Sequence, residues 1–100
     1  MAHDLILAPE AETDVVEAYE WYEARRRGLG EEFLSCVEAA LSGISRNPDL
    51  HAIAFANYRR VLVRRFPYAV FYEVADEFVT VYGVLHTARD SAKWRHRFPS

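Results

Sequence analysis

One hundred residues, 51% of them hydrophobic, suit a single domain that buries its own core, and no apolar run approaches the roughly 18 to 20 residues that cross a bilayer. The single cysteine, Cys36, permits no internal disulfide and reads as a small core residue, while His3, His51, His86 and His96 are too isolated for metal-ligand spacing, so neither metal nor cofactor is expected. The net charge of −3 is divided along the chain: residues 1–42 hold ten acids and three arginines, a formal −7, and residues 43–100 hold nine Arg or Lys and five acids, a formal +4.

The opening MAHDLILAPEAETD lacks a basic flank and runs straight into acids, which argues against a secretory leader and for a cytoplasmic protein. Within it, Asp4 to Ala8 is a short apolar run fit for a strand, ended by Pro9, which suits the first turn of a helix. Ala11, Val15, Ala18 and Tyr22 then recur at helical spacing, with Val16 and Tyr19 widening the stripe and the acids mainly outside it. Arg25-Arg26-Arg27 closes this helix in keeping with its dipole and reads as a solvated end, and Gly28 is expected to stop it. A second helix is predicted from about Glu31 to Ser45, with Phe33, Val37, Ala40, Leu41 and Ile44 on one face, ended by Asn47-Pro48. The short turn between the two makes them an antiparallel hairpin. Asn47 to Asn57 is expected to be a loop whose Leu50, Ile53 and Phe55 tuck against the core.

Tyr58 to His86 carries almost every other strand signal. Tyr58–Arg65, Tyr68–Val74 and Phe78–His86 are rich in Val, Tyr, Phe and Leu and are separated by Phe66-Pro67 and by Ala75-Asp76-Glu77, so they read as a three-stranded antiparallel meander. Along the first strand Arg60, Leu62 and Arg64 share one face, and Arg59, Val61, Val63 and Arg65 the other. After it, Asp90 can cap a short final helix holding Lys93, Trp94 and Arg97. The expected fold class is therefore α+β: an N-terminal strand, an α-helical hairpin packed on a mostly antiparallel sheet with a three-stranded meander, and a short C-terminal helix, in one domain over residues 1–100.

Familiar catalytic templates are missing: the sequence has no phosphate-cradling glycine loop, HExxH pair, GxSxG elbow or CxxC. What stands out is a basic and aromatic set, Arg59, Arg60, Arg64, Arg65, His86, Arg89, Lys93, Trp94, Arg95 and Arg97. Such arginines suit bidentate binding of carboxylate or phosphate, and suit a protein interface equally well. Arg64-Arg65 either binds a partner or merely blunts the sheet edge. His86 is either a hydrogen-bonded structural histidine or an acid-base group, and Tyr19, Trp21 and Tyr22 read first as helix-packing aromatics. A sequence pI near 5.8 weighs against nucleic acid as the partner.

The wording RRVLVRRFPYAVFYEV, followed by VTVYGVLHTARD and Trp94, is similar to the FPY-xVFY and VLH-xxRD pattern of ParE-like toxins, and LAPEAETDVVEAYEWY resembles the first strand and helix of the RelE/ParE superfamily. The resemblance implies the toxin half of a type II toxin-antitoxin pair, neutralised by a cognate ParD-like antitoxin in a hetero-oligomer. RelE-like members cut messenger RNA on the ribosome with an arginine after the tyrosine that opens the middle strand and a tyrosine near the C-terminus. Here those positions are Ala69 and Trp94, which supply neither phosphate-stabilising charge nor a proton acceptor, and Asn47 to Asn57 lacks lysine. This favours the ParE branch, which implies a non-enzymatic block of DNA gyrase, with Arg59, Arg60, Arg64, Arg65, His86, Arg89 and Trp94 as target or antitoxin contacts. A RelE-like ribosome-dependent endoribonuclease and a non-toxic antitoxin-binding relic are the alternatives.

Overall fold

Pro9 opens the first helix because its missing N–H would be unpaired there in any case. In the computed structural model, which describes residues 3–90 and 97, β1 (Asp4–Leu7) passes through Ala8 directly into α1 (Pro9–Arg25), and the Ala8 carbonyl accepts the N–H groups of Ala11 and Glu12. Ala11 and Ala18 of the expected stripe are buried with Val15 and Tyr22 beside them, but Val16 is 54% exposed, so the stripe is narrower than the sequence implied. α1 ends without glycine: Arg26 turns to extended backbone while its N–H still donates to the Tyr22 carbonyl.

Gly28 does not stop α1. It is the residue before α2 (Leu29–Arg46) and takes φ 89°, a conformation open to glycine at no steric cost. The cap comes from the other helix: the Glu23 carboxylate accepts the N–H groups of Gly28 (3.0 Å) and Gly30 (2.9 Å), placing negative charge at the positive end of the α2 dipole. Gly30 is required for this approach, since a Cβ there would lie 2.8 Å from the Tyr19 ring and 2.9 Å from the Glu23 carboxylate.

The remaining elements are β2 (Ile53–Phe55), β3 (Tyr58–Leu62), β4 (Tyr68–Ala75) and β5 (Phe78–His86), and the five strands lie in the order β1-β5-β4-β3-β2. β1 joins the meander at its edge, parallel to β5, and the other pairings are antiparallel. The stretch expected to be only a loop thus contains a strand, and of its three apolar residues only Phe55 tucks inward, against the cluster of Tyr58, Ala69, Phe71 and Leu85, while Leu50 is 75% and Ile53 56% exposed. The loop is held instead by the Tyr72 hydroxyl, which donates to the buried Pro48 carbonyl at 2.6 Å, and by Arg59. β3 is three residues shorter than expected, because Val63, Arg64, Arg65 and Phe66 form a turn with Arg65 at φ 72°.

Phe33, Val37 and Ile44 of α2 and Ala11 and Ala18 of α1 pack on one face of the sheet against Val70, Tyr72, Val79, Val81 and Val84. The opposite face carries its own cluster of Tyr58, Ala69, Phe71 and Leu85, so β4 is buried on both sides. Side-chain alternation along β5 changes phase midway. The β4–β5 register slips between Phe71–Gly83 and Tyr72–Val81, making Tyr82 the extra residue of a bulge, so Val79, Val81 and Val84 all reach the helical side. The expected C-terminal helix, with Lys93 and Trp94, lies outside the described residues.

Candidate functional site

The seven residues singled out in the sequence separate into different roles. Arg59 lies half-buried on the helical side of β3 and donates to the carbonyls of Asp49 and His51, with the Asp49 carboxylate 3.7 Å away, so it is a clamp on the loop before β2. Arg60 is exposed on the other face, and Arg64 is exposed in the β3–β4 turn; neither has an ion-pair partner among the described residues. Arg65 reaches across that turn to Glu32 of α2 at 2.9 Å, and Arg26 meets the same carboxylate at 3.1 Å. The Arg65 hydrogen bond and the Arg26 charge hold the Glu32 carboxyl below its usual range. Trp94 lies outside the described residues.

His86 and Arg89 do come together, with a third residue. His86 ends β5 opposite Tyr68, the first residue of β4, and the two rings sit 5.3 Å apart. The His86 Nδ1 accepts the backbone N–H groups of Ala88 (3.1 Å) and Arg89 (2.9 Å), and the backbone N–H of His86 donates to the Asp90 carboxylate at 3.0 Å. These bonds tighten the chain as it leaves β5 and swing Arg89 back, so that its guanidinium donates to the Tyr68 hydroxyl at 2.8 Å. Burial pushes the Tyr68 hydroxyl up, with Arg89 opposing the shift. With Nδ1 occupied as an acceptor, His86 is tied into the backbone in the way a structural histidine is.

Across from Tyr68 stands α1. Trp21 is 41% exposed, and its ring lies 3.7 Å from the Arg25 guanidinium and 5.9 Å from that of Arg89. Between them lies a cleft of about 190 Å³ whose lining includes Asp14, Ala18, Trp21, Tyr68, Leu85 and Arg89. The Tyr22 ring contacts Phe66 at 4.9 Å and Tyr68 at 6.1 Å, which brings the end of α1, the β3–β4 turn and the segment after β5 to one end of the molecule. Arg25, Arg26, Arg27, Arg64, Arg65 and Arg89 therefore share a pole, although in sequence they are three separate groups.

Two of the α1 acids placed outside the apolar stripe hold structural roles. Glu23 caps α2, as above. Asp14 accepts the Val84 N–H at 3.0 Å and pairs with Arg97, and its side chain is only 10% exposed. Burial pushes its carboxyl up, against the lowering effect of the Arg97 and Val84 bonds. Among the described residues no group of three or more His, Cys, Asp or Glu could hold a metal, and no helix is long and apolar enough to cross a membrane.

Comparison with known proteins gives this geometry a family. Residues 5–91 match the family described as the ParE toxin of the type II toxin-antitoxin system parDE. Among solved structures, one from the chromosomal ParDE TA system of P. aeruginosa superposes with a TM-score of 0.76 at 11% identity, covering 85% of this chain and 96% of that one. The YoeB dimer from Staphylococcus aureus superposes at 0.56 with 15% identity, over 84% of this chain and 95% of its own. At such identities the likeness shows the shared fold: two helices on one face of a five-stranded mixed sheet. No curated protein matches the sequence.

Proposed function

The chain belongs to the ParE toxin family of type II toxin-antitoxin systems, and from that premise we propose that it arrests growth by binding DNA gyrase in the cytoplasm until a cognate ParD-like antitoxin neutralises it. The observation that carries a binding rather than a cutting role is the placement of Ala69. It follows Tyr68 at the head of β4, is fully buried, and packs with Tyr58, Phe71 and Leu85 on the sheet face away from the helices. A nuclease of this fold would need a cation at that position to stabilise the phosphate in flight, and a buried methyl group cannot supply one. His86 Nδ1 is engaged by backbone N–H groups, which supports the same reading. The exposed guanidinium groups of Arg60 and Arg64 supply contacts to the target or the antitoxin.

The test is reconstituted supercoiling by purified gyrase beside translation in a bacterial extract. The reading predicts that added toxin blocks supercoiling, that the antitoxin restores it, and that messenger RNA on the ribosome stays whole. Cleavage of ribosome-bound messenger with supercoiling untouched would establish the endoribonuclease instead, and antitoxin binding with neither effect the non-toxic relic.

A further inference from the structure

The apolar stripe of α1 is only partly used by the core. Between α1 and α2 runs an open groove of about 410 Å³, lined by Val15, Val16, Tyr19 and Glu20 of α1 and by Glu31 and Leu34 of α2. Val15 packs against the buried core, but Val16, Tyr19 and Leu34 take no part in it, and Val16 is 54% exposed. The Tyr19 hydroxyl donates to Glu31 at 2.9 Å and its ring lies over Gly30, so the aromatic wall is tied to α2 and set in advance of any partner. The charged groups lining the groove are both carboxylates, exposed, and no lysine or arginine pairs with either among the described residues. An apolar strip with a charged rim has the form of an interaction site.

We propose that this groove docks a basic amphipathic helix of a partner polypeptide, its apolar side chains on Val16, Tyr19 and Leu34 and its lysines or arginines on Glu20 and Glu31. The furrow between two packed helices accepts a third helix that presents apolar residues at spacings of three and four. Charge selects a basic one. Residues 9–24 and 28–45, which span nearly all of the hairpin, hold nine acids and no lysine or arginine. Of the arginines in the turn, Arg25 lies over Trp21 and Arg26 on Glu32, and Arg27 pairs with neither Glu20 nor Glu31. An acidic helix, a nucleic acid or an anionic lipid surface would bring negative charge against these carboxylates. A second copy meeting groove to groove would do the same, and neither α1 nor α2 combines an apolar stripe with cations along its exposed side. The groove belongs to the helix layer, whereas Arg60 lies on the opposite face of the sheet, so the two surfaces are separate.

The experiment is an NMR titration of the isotope-labelled full chain with three probes: the helical peptide acetyl-Leu-Lys-Lys-Leu-Leu-Lys-Leu-Leu-Lys-Lys-Leu-Leu-Lys-Leu-amide, its counterpart with Glu at every Lys, and phosphatidylcholine vesicles. The Lys peptide is expected to shift the backbone amides of Val16, Tyr19, Glu20 and Leu34 together and saturably, and the other two probes to leave them in place. Val16→Ser should weaken the titration about tenfold and Glu20→Gln about threefold. Glu77→Gln, which removes the same charge from an exposed residue outside the groove, should leave it unchanged. Unchanged spectra away from the hairpin report that each variant is folded, and if Val16→Ser disturbs them, Glu20→Gln against Glu77→Gln carries the comparison. Equal response to the Glu peptide, no response to the Lys peptide, or an equal loss in Glu77→Gln would each overturn the proposal. So would a response to the vesicles at least as strong, which would assign the groove to lipid, or shifts of the same amides on concentrating the chain alone, which would assign it to a second copy. Binding is read without gyrase or antitoxin, so its failure is distinct from a failure of the proposed function.

Discussion

The Asp14 carboxylate, on α1, accepts the backbone N–H of Val84, 70 positions later on β5, at 3.0 Å. β1 covers the outer edge of β5 only as far as Val81, and the bulge at Tyr82 then redirects the strand, so the Val84 N–H emerges where no strand receives it. α1 begins at the end of β1 and carries Asp14 past this point. One carboxylate thereby joins the helix layer to the bulge and holds Arg97 as well.

Replacing Asp14 tests this joint. Asp14→Ala leaves the Val84 N–H without an acceptor and is expected to cost about 1–3 kcal/mol in urea denaturation. Asp14→Asn keeps an oxygen for that N–H and should cost less. Because burial raises the folded-state value above the ordinary 3.8, ionising Asp14 opposes folding. The stability of the natural chain relative to Asp14→Asn should therefore fall as pH rises from 3.8 through the higher folded value. A flat difference across that window would mean that the carboxylate is solvated.

The two glycines of α2 should respond in opposite directions. Gly30→Ala drives a Cβ to 2.8 Å from the Tyr19 ring and disturbs the Glu23 cap, and is expected to destabilise by about 1–3 kcal/mol. Gly43 has nothing within 4 Å of an added Cβ, so Gly43→Ala should gain about 1 kcal/mol from helix propensity alone. Denaturant midpoints of the two variants check both signs.

Tyr72 should govern part of the alkaline unfolding. It is fully buried, donates to the Pro48 carbonyl, and has its hydroxyl pushed up to about 12 from 10.0, chiefly by burial. A raised folded value gives stability that is complete below the unfolded value and lost as pH climbs through the folded one, here between about 10 and 12. Tyr72→Phe is expected to cost about 1–3 kcal/mol at neutral pH. It should also reduce the loss between pH 10 and 12, as read by melting temperature against pH.

Changing Arg64 and Arg65 together to alanine should separate binding from folding. Arg64 has no ion pair among the described residues, and the Arg65–Glu32 pair is exposed, so the loss of stability should stay within about 1 kcal/mol. Antitoxin affinity is expected to fall about tenfold and growth arrest to weaken. Calorimetric titration with the antitoxin checks this, and unchanged binding together with unchanged arrest would remove these residues from the interface.

Much of the fold was legible because it rests on period. Ala11, Ala18, Phe33, Val37 and Ile44 mark the buried helix faces, and the apolar alternation of Tyr68–Val74 and Phe78–His86 marks the central strands. β2 escaped because three residues, two of them with exposed side chains, carry no period at all. β3 was drawn too long because Val61 and Val63 continue the alternation into Arg64-Arg65, and only the backbone reveals the turn. The site was less legible than the fold. Asp14 and Glu23 look like any other acid on a charged helix face, since their roles depend on a bulge and a second helix that meet them only in three dimensions. One signal was available: Gly83 inside an otherwise β-branched and aromatic strand is a mark of a bulge. Trp21 and Arg25 likewise gain meaning only when Arg89, far along the chain, folds back beside them.

The most direct test of the central claim is pulse incorporation of labelled thymidine and labelled leucine in a bacterium, minutes after this chain is induced without its antitoxin. A gyrase-directed ParE toxin should cut thymidine incorporation first while leucine incorporation holds. An early fall in leucine incorporation with DNA synthesis intact would contradict the account and assign the chain to translation.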